Sequence, residues 1–343
     1  MRKSTTKAVF TLWAIFALFG MSTSCLAVGE PMRLVQTIPL PELHEGDFDH
    51  FAVDLPGHRL FLTVEQGVVE IFDLRSNKLL HSITGLDEPH SLVYRADLKK
   101  LFIVDGGAAE LKVYDSDTYQ LLSSVKLEVD CDSMAFDPAT KRMYIVDGGR
   151  AAHTPYSFIS VVDTTAAKKL ADIKIDTNRV EALVLERSGP RLFASLTGLN
   201  AVGVFDRNTD KLLATWPVEA EGQLNVPLAF DQPHHRLFTV TGKPAKLIVL
   251  DSDSGKIVAS VPTIEMVDDV SYHLQKARIY ASGNEFVDVF QQTDPDHYSQ
   301  IGHVAGAFRA KTSFLLPELN RFYLAVPRHG DKAAELRVYK ILP

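Results

Sequence analysis

The feature of this sequence that most constrains its fold is a short pattern that returns five times. An apolar alternating run ends in Asp, a polar turn follows, and a second apolar run returns, as in "VFDRNTDKLLATW" at 204–216. Successive copies are 42, 48, 43 and 45 residues apart, measured between Asp73, Asp115, Asp163, Asp206 and Asp251. A nearly fixed period in this range indicates a repeat architecture.

Two more strand-like runs lie between one copy and the next. In the second unit they read "SLVYR" and "KLFIVD", with turn residues between them. Each unit therefore predicts four short strands, rich in β-branched and aromatic residues and separated by turns. Seven units fit the chain. A four-stranded unit of this length, repeated radially, predicts an all-β fold, a seven-bladed β-propeller.

The two ends of the chain predict how the ring closes. The last unit stops at Pro343 after three strands, and an orphan strand-like run lies at 32–40. We expect this N-terminal strand to complete the C-terminal blade, because an open ring would expose unpaired strand edges. Residues 28–343 are thus predicted to form a single propeller domain.

The N-terminal residues read as a secretory signal peptide. Three basic residues precede an apolar run at 8–20, and small residues follow, so that residues 1–27 are predicted to be removed. A membrane-spanning helix needs about 20 apolar residues, and this run has 13. We expect a periplasmic or secreted protein with no transmembrane segment after cleavage. Lipid attachment at Cys25 is the weaker alternative, because "MSTS" precedes it where a lipoprotein signal resembles Leu-Ala-Gly.

Charge and cysteine content exclude some classes of protein. The full chain has a formal net charge of −7, and removal of residues 1–27 takes away three basic and no acidic residues. An acidic protein is a poor match for nucleic acid or an anionic membrane, so no nucleic-acid partner is expected. Cys131 is the only cysteine left after cleavage. The predicted mature chain therefore has no intrachain disulfide, and we expect a monomer held together by packing.

One repeat resembles a known family. "LTGLNAVGVFDRNTDKLLATWPV" is similar to the repeat of the YVTN family of β-propellers, which includes the YncE-like proteins. The shared features are a turn with Asn, an alternating strand that ends in Asp, and "TDK" before the returning strand. The resemblance implies a propeller of an exported bacterial or archaeal protein. It implies little about function, since the repeated residues are those that build the blade.

The repeated aspartates are therefore interpreted as scaffold. Their carboxylates can accept hydrogen bonds from backbone N–H groups of the following turn, as Asp does at tight connections. Function is expected instead where the blades differ at equivalent positions, because function depends on particular sites and not on the shared fold.

Such a position lies just before the innermost strand of each unit. It is occupied, in blade order, by Asp49, His90, Asp132, Glu181, Val226, Asp268 and Lys311. The next position adds His50 and Asp269. These side chains are expected to converge at one mouth of the central channel and to form a ligand-binding face.

The same ring contains candidate metal ligands, namely His90, Asp132, Glu181 and Asp268. Oxygen ligands would suit a divalent cation such as Ca²⁺, whereas a mixed histidine and carboxylate set would suit Zn²⁺. The alternative is a hydrated channel mouth without metal. The sequence has no metal-binding motif with short fixed spacing, which favours this alternative.

Two loops extend the predicted binding face. The insertion "DGGRAAHTPYS" places Arg150, His153 and Tyr156 on the mouth side, and loops longer than the repeat often carry binding residues. Arg328 and His329 in "VPRHG" were expected to face them from blade seven.

The sequence favours an exported binding or scaffold protein with no defined reaction. It would present the channel mouth to a protein, peptide, carbohydrate or small ligand. The alternative is a metal-dependent hydrolase or lyase of the lactonase type, with the metal in the channel and His50 as a candidate base; this rests on analogy between propellers. An accessory protein of a redox system is a third hypothesis.

Overall fold

The computed structural model describes residues 30–44 and 46–343. The predicted signal peptide and Cys25 lie outside these residues. The described chain folds into 28 strands in seven four-stranded antiparallel sheets, which confirms the predicted seven-bladed propeller. No helix in these two ranges has the length and apolar character needed to span a membrane.

Six blades are built from consecutive strands. Blade one contains β2 (Phe48–Asp54), β3 (Arg59–Val64), β4 (Val68–Asp73) and β5 (Leu79–Thr84). Blade two contains β6 (Pro89–Arg95), β7 (Lys100–Asp105), β8 (Glu110–Asp115) and β9 (Leu121–Lys126). Blade three contains β10 (Met134–Asp137), β11 (Arg142–Gly148), β12 (Ser157–Asp163) and β13 (Lys168–Ile175). Blade four contains β14 (Leu183–Leu185), β15 (Arg191–Leu196), β16 (Ala201–Asp206) and β17 (Lys211–Pro217). Blade five contains β18 (Leu228–Asp231), β19 (Arg236–Gly242), β20 (Ala245–Asp251) and β21 (Ile257–Pro262). Blade six contains β22 (Asp269–His273), β23 (Arg278–Ser282), β24 (Phe286–Asp294) and β25 (His297–Ala305). Four single-turn 3-10 helices occur in connections, at Thr197–Leu199, Gln232–His234, Leu274–Lys276 and Pro317–Leu319.

Blade seven joins the two ends of the chain, as predicted. It contains β26 (Ser313–Leu316), β27 (Arg321–Val326) and β28 (Ala334–Ile341), and β1 (Met32–Leu40) pairs antiparallel with β28 as its outer strand. The first strands of successive blades contact one another around the axis, including β26 with β2. The ring is therefore closed, and the first strands line the central channel.

The hydrophobic core lies between the blades rather than inside any one of them. Seven clusters of buried apolar residues are present, one between each pair of neighbouring blades. Alternation along the second strand explains this, because Leu60 and Leu62 pack towards blade seven while Phe61 packs towards blade two. Each such side chain contributes about 1.5–3 kcal/mol on full burial. A single blade cannot bury both of its faces, so stability depends on the complete ring.

The five repeated aspartates form the predicted turn. Each accepts hydrogen bonds from the backbone N–H groups two and three residues later, at 2.7–3.3 Å. The backbone and side-chain hydrogen bonds from Ser76 lower the pKa of Asp73 to about 2. The residue four positions after each aspartate has a left-handed backbone, and Gly255 fills that position in blade five with a φ of +72°.

Arginines on the second strands link neighbouring blades, a role that the sequence analysis did not predict. Arg236 donates to the backbone carbonyl of Pro295 in the next blade at 3.0 Å, and Arg278 donates to that of Leu342 at 2.8 Å. Arg59 makes the equivalent bond to Ser116. These bonds join turns that are far apart in sequence, so they reinforce the contacts between blades.

Cys131 is buried between blades two and three, where it behaves as a small apolar residue. Its Sγ lies 3.4 Å from the carbonyl oxygen of Asp105, and burial raises the pKa of the thiol. The thiol is therefore held in its neutral form, which agrees with the interpretation of Cys131 as a core residue.

Candidate functional site at the channel mouth

One mouth of the channel forms a polar cavity of about 400 Å³. All seven aligned positions line it, as do His50 and Asp269. Three charged residues that the alignment did not select also line it, namely Glu65, Arg150 and Arg179. The predicted convergence of these positions is therefore observed.

Irregular strand pairing aims both histidines at the cavity. Asp49 and His50 lie within β2, where the register with β3 shifts between Phe48 and Phe51. His90 lies within β6 at an equivalent shift between Pro89 and Leu92. Such irregularities leave residues outside the regular ladder and redirect their side chains. Asp49 and His90 therefore lie inside the first strands, and not just before them as the alignment suggested.

Several hydrogen bonds hold this part of the mouth. The buried Thr63 hydroxyl accepts from the backbone N–H of His50 at 2.8 Å and donates to its carbonyl at 3.1 Å. Ser91 of blade two donates to the carbonyl of Asp132 in blade three at 2.5 Å. The backbone geometry at the mouth is thus fixed both within blade one and between blades two and three.

The carboxylate of Asp49 joins the two histidines. One oxygen contacts Nδ1 of His50 and the other lies 2.5 Å from Nδ1 of His90. Burial opposes ionisation of Asp49, but the charge and hydrogen bonds of His50 and His90 outweigh it and hold its pKa well below the usual range. Burial also opposes the charged histidines, yet Asp49 and the neighbouring carboxylates raise the pKa of each to about 10.

Three other carboxyl groups of the cavity hold their protons more tightly than usual. Burial, together with repulsion from Asp49, raises the pKa of Asp132 to about 8 and that of Glu65 to about 7. Burial likewise raises the pKa of Asp269 to about 7, against the opposing effects of His50 and of a 2.6 Å hydrogen bond from the Ser313 N–H. Several acidic groups therefore crowd a small volume around Asp49.

The opposite side of the mouth is organised as ion pairs. Arg179 pairs with Glu181, and the Lys311 ammonium lies 2.8 Å from the Asp268 carboxylate. Burial acts against the charge of Lys311, but Asp268 outweighs it and raises the pKa of Lys311. Two of the four candidate metal ligands, Glu181 and Asp268, are thus each paired with a cation.

Within residues 30–44 and 46–343, two overlapping triads have donor atoms placed so that they could hold a metal. In each triad the donor atoms lie within 4.8 Å of one another: Asp49 with His50 and Asp132, and Asp49 with Glu65 and His90. His90 and Asp132 were predicted as ligands. Asp49 was predicted as part of the binding face, and His50 was predicted there and as a candidate base, but neither was predicted as a metal ligand. Glu65 was not predicted, because it lies after the second strand and not in the aligned ring.

Gly106 provides the space that the His90 ring occupies. A Cβ atom at Gly106 would lie 2.6 Å from Cδ2 and 2.8 Å from Nε2 of His90, closer than real Cβ contacts. The "VDGG" sequence was interpreted as turn chemistry alone. The glycine also has a packing role, which only the position of the His90 ring in the same blade shows.

The predicted loop face is only partly present, and one expectation is wrong. Arg150 lines the cavity, but His153 lies exposed in a turn outside it. The predicted opposition from blade seven does not occur, because the Arg328 guanidinium donates to the carbonyls of Leu43 at 2.9 Å and Pro41 at 2.8 Å. Arg328 is occupied by backbone of the segment that joins β1 to β2, and its neighbour His329 packs against Phe308, with ring centroids 4.4 Å apart and the rings tilted by 35°.

Below the mouth the channel becomes more apolar. His50 and Asp269 line both the upper cavity and a lower one of about 500 Å³. Phe51 and Phe314 stack in the lower cavity with ring centroids 5.8 Å apart. His50 and Asp269 therefore mark the boundary between a polar mouth and a partly apolar interior.

Comparisons with known proteins show the fold and no more. No protein-family model matches the chain, and no curated protein sequence matches it. Among solved structures, it is similar to one titled Kuenenia stuttgartiensis hydrazine synthase, with 14% identity and a TM-score of 0.71, over 82% of this chain and 93% of that one. A chain of a mitotic checkpoint complex is 13% identical with a TM-score of 0.74, over 99% of both chains.

Identities this low establish a shared β-propeller and not a shared activity. The resemblance to YVTN and YncE-like proteins stays a prediction, since it rests on the repeat sequence alone. The propeller fold commonly serves as a binding scaffold, and the similar structures include a member of a multiprotein complex.

Proposed function

We propose that this protein is an exported binding protein that takes a small hydrophilic ligand into the channel mouth. The observation that carries the proposal is the convergence of charged side chains from six blades on a cavity of about 400 Å³. Binding sites are concave and use a few convergent polar groups to fix a ligand's orientation. A rigid ring supplies these groups already in position, which lowers the cost of ordering on binding.

The arrangement of charge favours a ligand with both hydrogen-bond donors and acceptors. Carboxyl groups such as those of Glu181 and Asp132 offer acceptor oxygens, whereas the Arg150 guanidinium offers donors at the same cavity. Arg150 forms no ion pair within residues 30–44 and 46–343, so its donors can serve a ligand. Sugars and zwitterions such as amino acids combine both kinds of group in a molecule of suitable size.

A thermal-shift panel tests this proposal. Residues 28–343 would be heated with lysine, glucosamine and trehalose, in EDTA, over a range of concentrations. We expect at least one probe to raise the Tm saturably, since a ligand of the folded state stabilises it. Arg150→Ala should weaken its apparent affinity about tenfold, the equivalent of about 1.4 kcal/mol. Arg75→Ala, which removes an exposed arginine of an outer turn, should not.

Absence of a saturable shift with every probe would contradict a hydrophilic-ligand function. An equal loss of affinity in both arginine variants would contradict the placement of the ligand at the mouth. Binding to a partner protein or peptide stays a separate prediction, for which the structure identifies no particular surface.

Export is supported by the N-terminal sequence and is tested by processing of the full chain. Expression in a Gram-negative bacterium should yield periplasmic protein whose N-terminus is Val28. Protein that retains Met1 in the cytoplasm would contradict export, and a lipid-modified Cys25 would replace the cleavage prediction with an anchored form. The metal-dependent hydrolase or lyase hypothesis stays a prediction, because the geometry bears on ligands and not on a reaction.

A further inference from the structure

We propose that the mouth holds two divalent transition-metal ions that share Asp49 as a bridging ligand. One ion would be held by Asp49, His50 and Asp132, and the other by Asp49, Glu65 and His90. This inference deepens the proposed function, because it assigns a ligand to one side of the same cavity.

The geometry of Asp49 carries the inference. Its two carboxylate oxygens point to different partners, with Oδ1 towards His50 and Oδ2 towards His90. Each side then has one further carboxylate, Asp132 or Glu65, with donor atoms within 4.8 Å. Donor atoms therefore lie on both sides of the Asp49 carboxylate, and a single ion would contact only one of the two triads.

The donor set favours transition metals over Ca²⁺. Ca²⁺ takes six to eight oxygen ligands, whereas imidazole nitrogen suits Zn²⁺ and related ions. Each triad supplies one nitrogen and two carboxylates. Three protein ligands leave a coordination position for water or for an oxygen of a bound molecule, as in open zinc sites. That position would belong to the cavity in which the hydrophilic ligand is proposed to bind.

Metal binding requires only a small rearrangement of these side chains. The histidine Nδ1 atoms now lie at hydrogen-bond distance from the Asp49 oxygens, with an N–O separation of 2.5 Å for His90. Metal bonds of about 2.0–2.2 Å would widen that separation to about 3 Å and displace the protons to solvent. The side chain of His50 is 36% exposed, so it has room to move. Gly106 leaves the His90 ring the space that a side chain would fill.

The first experiment is titration of the EDTA-stripped mature chain with Zn²⁺ at pH 7.5 by calorimetry, with elemental analysis after dialysis. We expect two equivalents in the unaltered chain. His50→Gln and His90→Gln should each retain one, and Asp49→Asn should retain none. Circular dichroism and the Tm of each metal-free variant would establish that it is folded. Binding of fewer than two equivalents to the unaltered chain, or two equivalents to either histidine variant, would overturn the proposal.

A surface control separates this site from adventitious binding. His297 pairs with Asp294 at 2.8 Å and is 76% exposed, so it is a histidine–carboxylate pair outside the channel. His297→Gln should still bind two equivalents, and a loss there would assign zinc to the surface.

The two proposals fail separately. If a probe raises the Tm in EDTA in a way that depends on Arg150, but no zinc binds, only the metal site is refuted. If zinc binds but no probe raises the Tm, the hydrophilic-ligand proposal is refuted.

Discussion

Two sets of aspartates in this protein have the same chemistry and opposite environments. The repeated turn aspartates lie at the outer side of the blades and bind backbone N–H groups two and three residues ahead. Asp49 and Asp132 lie at the channel mouth. His90 of the next blade contacts Asp49 together with His50 of its own blade, and the charges around Asp132 come from other blades. The turn set is satisfied locally, whereas the mouth set depends on the closed ring.

The difference distinguishes the aspartates that stabilise the fold from those that can take part in a functional site. Hydrogen bonds from the backbone of its own turn lower the pKa of Asp163. Burial and the charge of Asp49 raise the pKa of Asp132 instead. A carboxyl group that is crowded and buried is costly for the fold, and perturbed groups of this kind concentrate at functional sites. Four substitutions would break or sharpen this comparison.

The largest effect is expected for Asp49→Ala. The substitution leaves the His50 and His90 rings without the anion that both contact, and breaking a buried pair costs about 3–5 kcal/mol. Partial exposure of His50 reduces this, so we expect a loss of about 2–4 kcal/mol in the free energy of unfolding. Urea denaturation at pH 7 in EDTA measures it. A loss below about 1 kcal/mol would show that Asp49 contributes no more to the free energy of unfolding than a turn aspartate does.

A blade-interior aspartate tests whether burial alone raises a pKa. Asp147 is fully buried at the end of β11, where burial raises its pKa to about 6 although the Glu128 N–H and Ser160 hydroxyl donate to it. Its contribution to stability is present in full below the unfolded pKa of 3.8 and is lost as the pH rises through about 6. Asp147→Asn should remove this dependence, which amounts to about 2–3 kcal/mol between pH 4 and 7.

Urea denaturation of both proteins at pH 4, 5, 6 and 7 checks this prediction. Parallel profiles of stability against pH would contradict it. Asp163→Asn serves as the control, because its folded-state pKa is lowered and its loss cannot produce the same trend.

A smaller effect is expected for Gly106→Ala. The added Cβ would press on the His90 ring, and overpacking typically costs about 1–3 kcal/mol. Since the ring can shift towards the cavity, we expect about 1–2 kcal/mol, together with a changed His90 imidazole signal in NMR spectra. Gly242→Ala is the matched control, because a Cβ there meets its nearest atom at 3.6 Å. Equal effects at both glycines would contradict the packing role of Gly106.

The smallest effect is expected for a turn aspartate. Asp163→Ala removes two hydrogen bonds to the N–H groups of Thr165 and Ala166, at 2.8 and 3.0 Å, which remain open to water. We expect a loss of about 1 kcal/mol in the free energy of unfolding, with the channel mouth unchanged. Asp176→Ala removes an equal charge from a residue with 93% exposure and should leave the melting curve unaltered. A loss at Asp163 as large as that at Asp49 would remove the distinction between the two sets.

The fold was predictable because its determinants are local and repeated. The Asp turn, the four-stranded unit and the orphan strand at 32–40 are all visible along the chain, and the structure confirms each of them. The seven aligned positions also line one cavity, because the first strand of each blade contacts those of its neighbours around the channel.

The details of the site were not predictable for a different reason. Glu65 and Arg179 enter the cavity from positions outside the aligned ring. Gly106 is read as a turn residue until the His90 ring of the same blade is seen against it. Arg328 has the right residue type for a binding loop, but it donates to carbonyls that are nearly 290 residues away in sequence.

The sequence by itself determined the repeat, the strand content and the closure of the ring, because these depend on hydrogen bonds and apolar alternation within one unit or between its two ends. Only the tertiary structure decided which charges meet at the mouth, which carboxylates are paired, and that Asp49 faces two histidines. Those interactions depend on distances between blades, and side chains from different repeats come within a few ångströms only when all seven blades are in place.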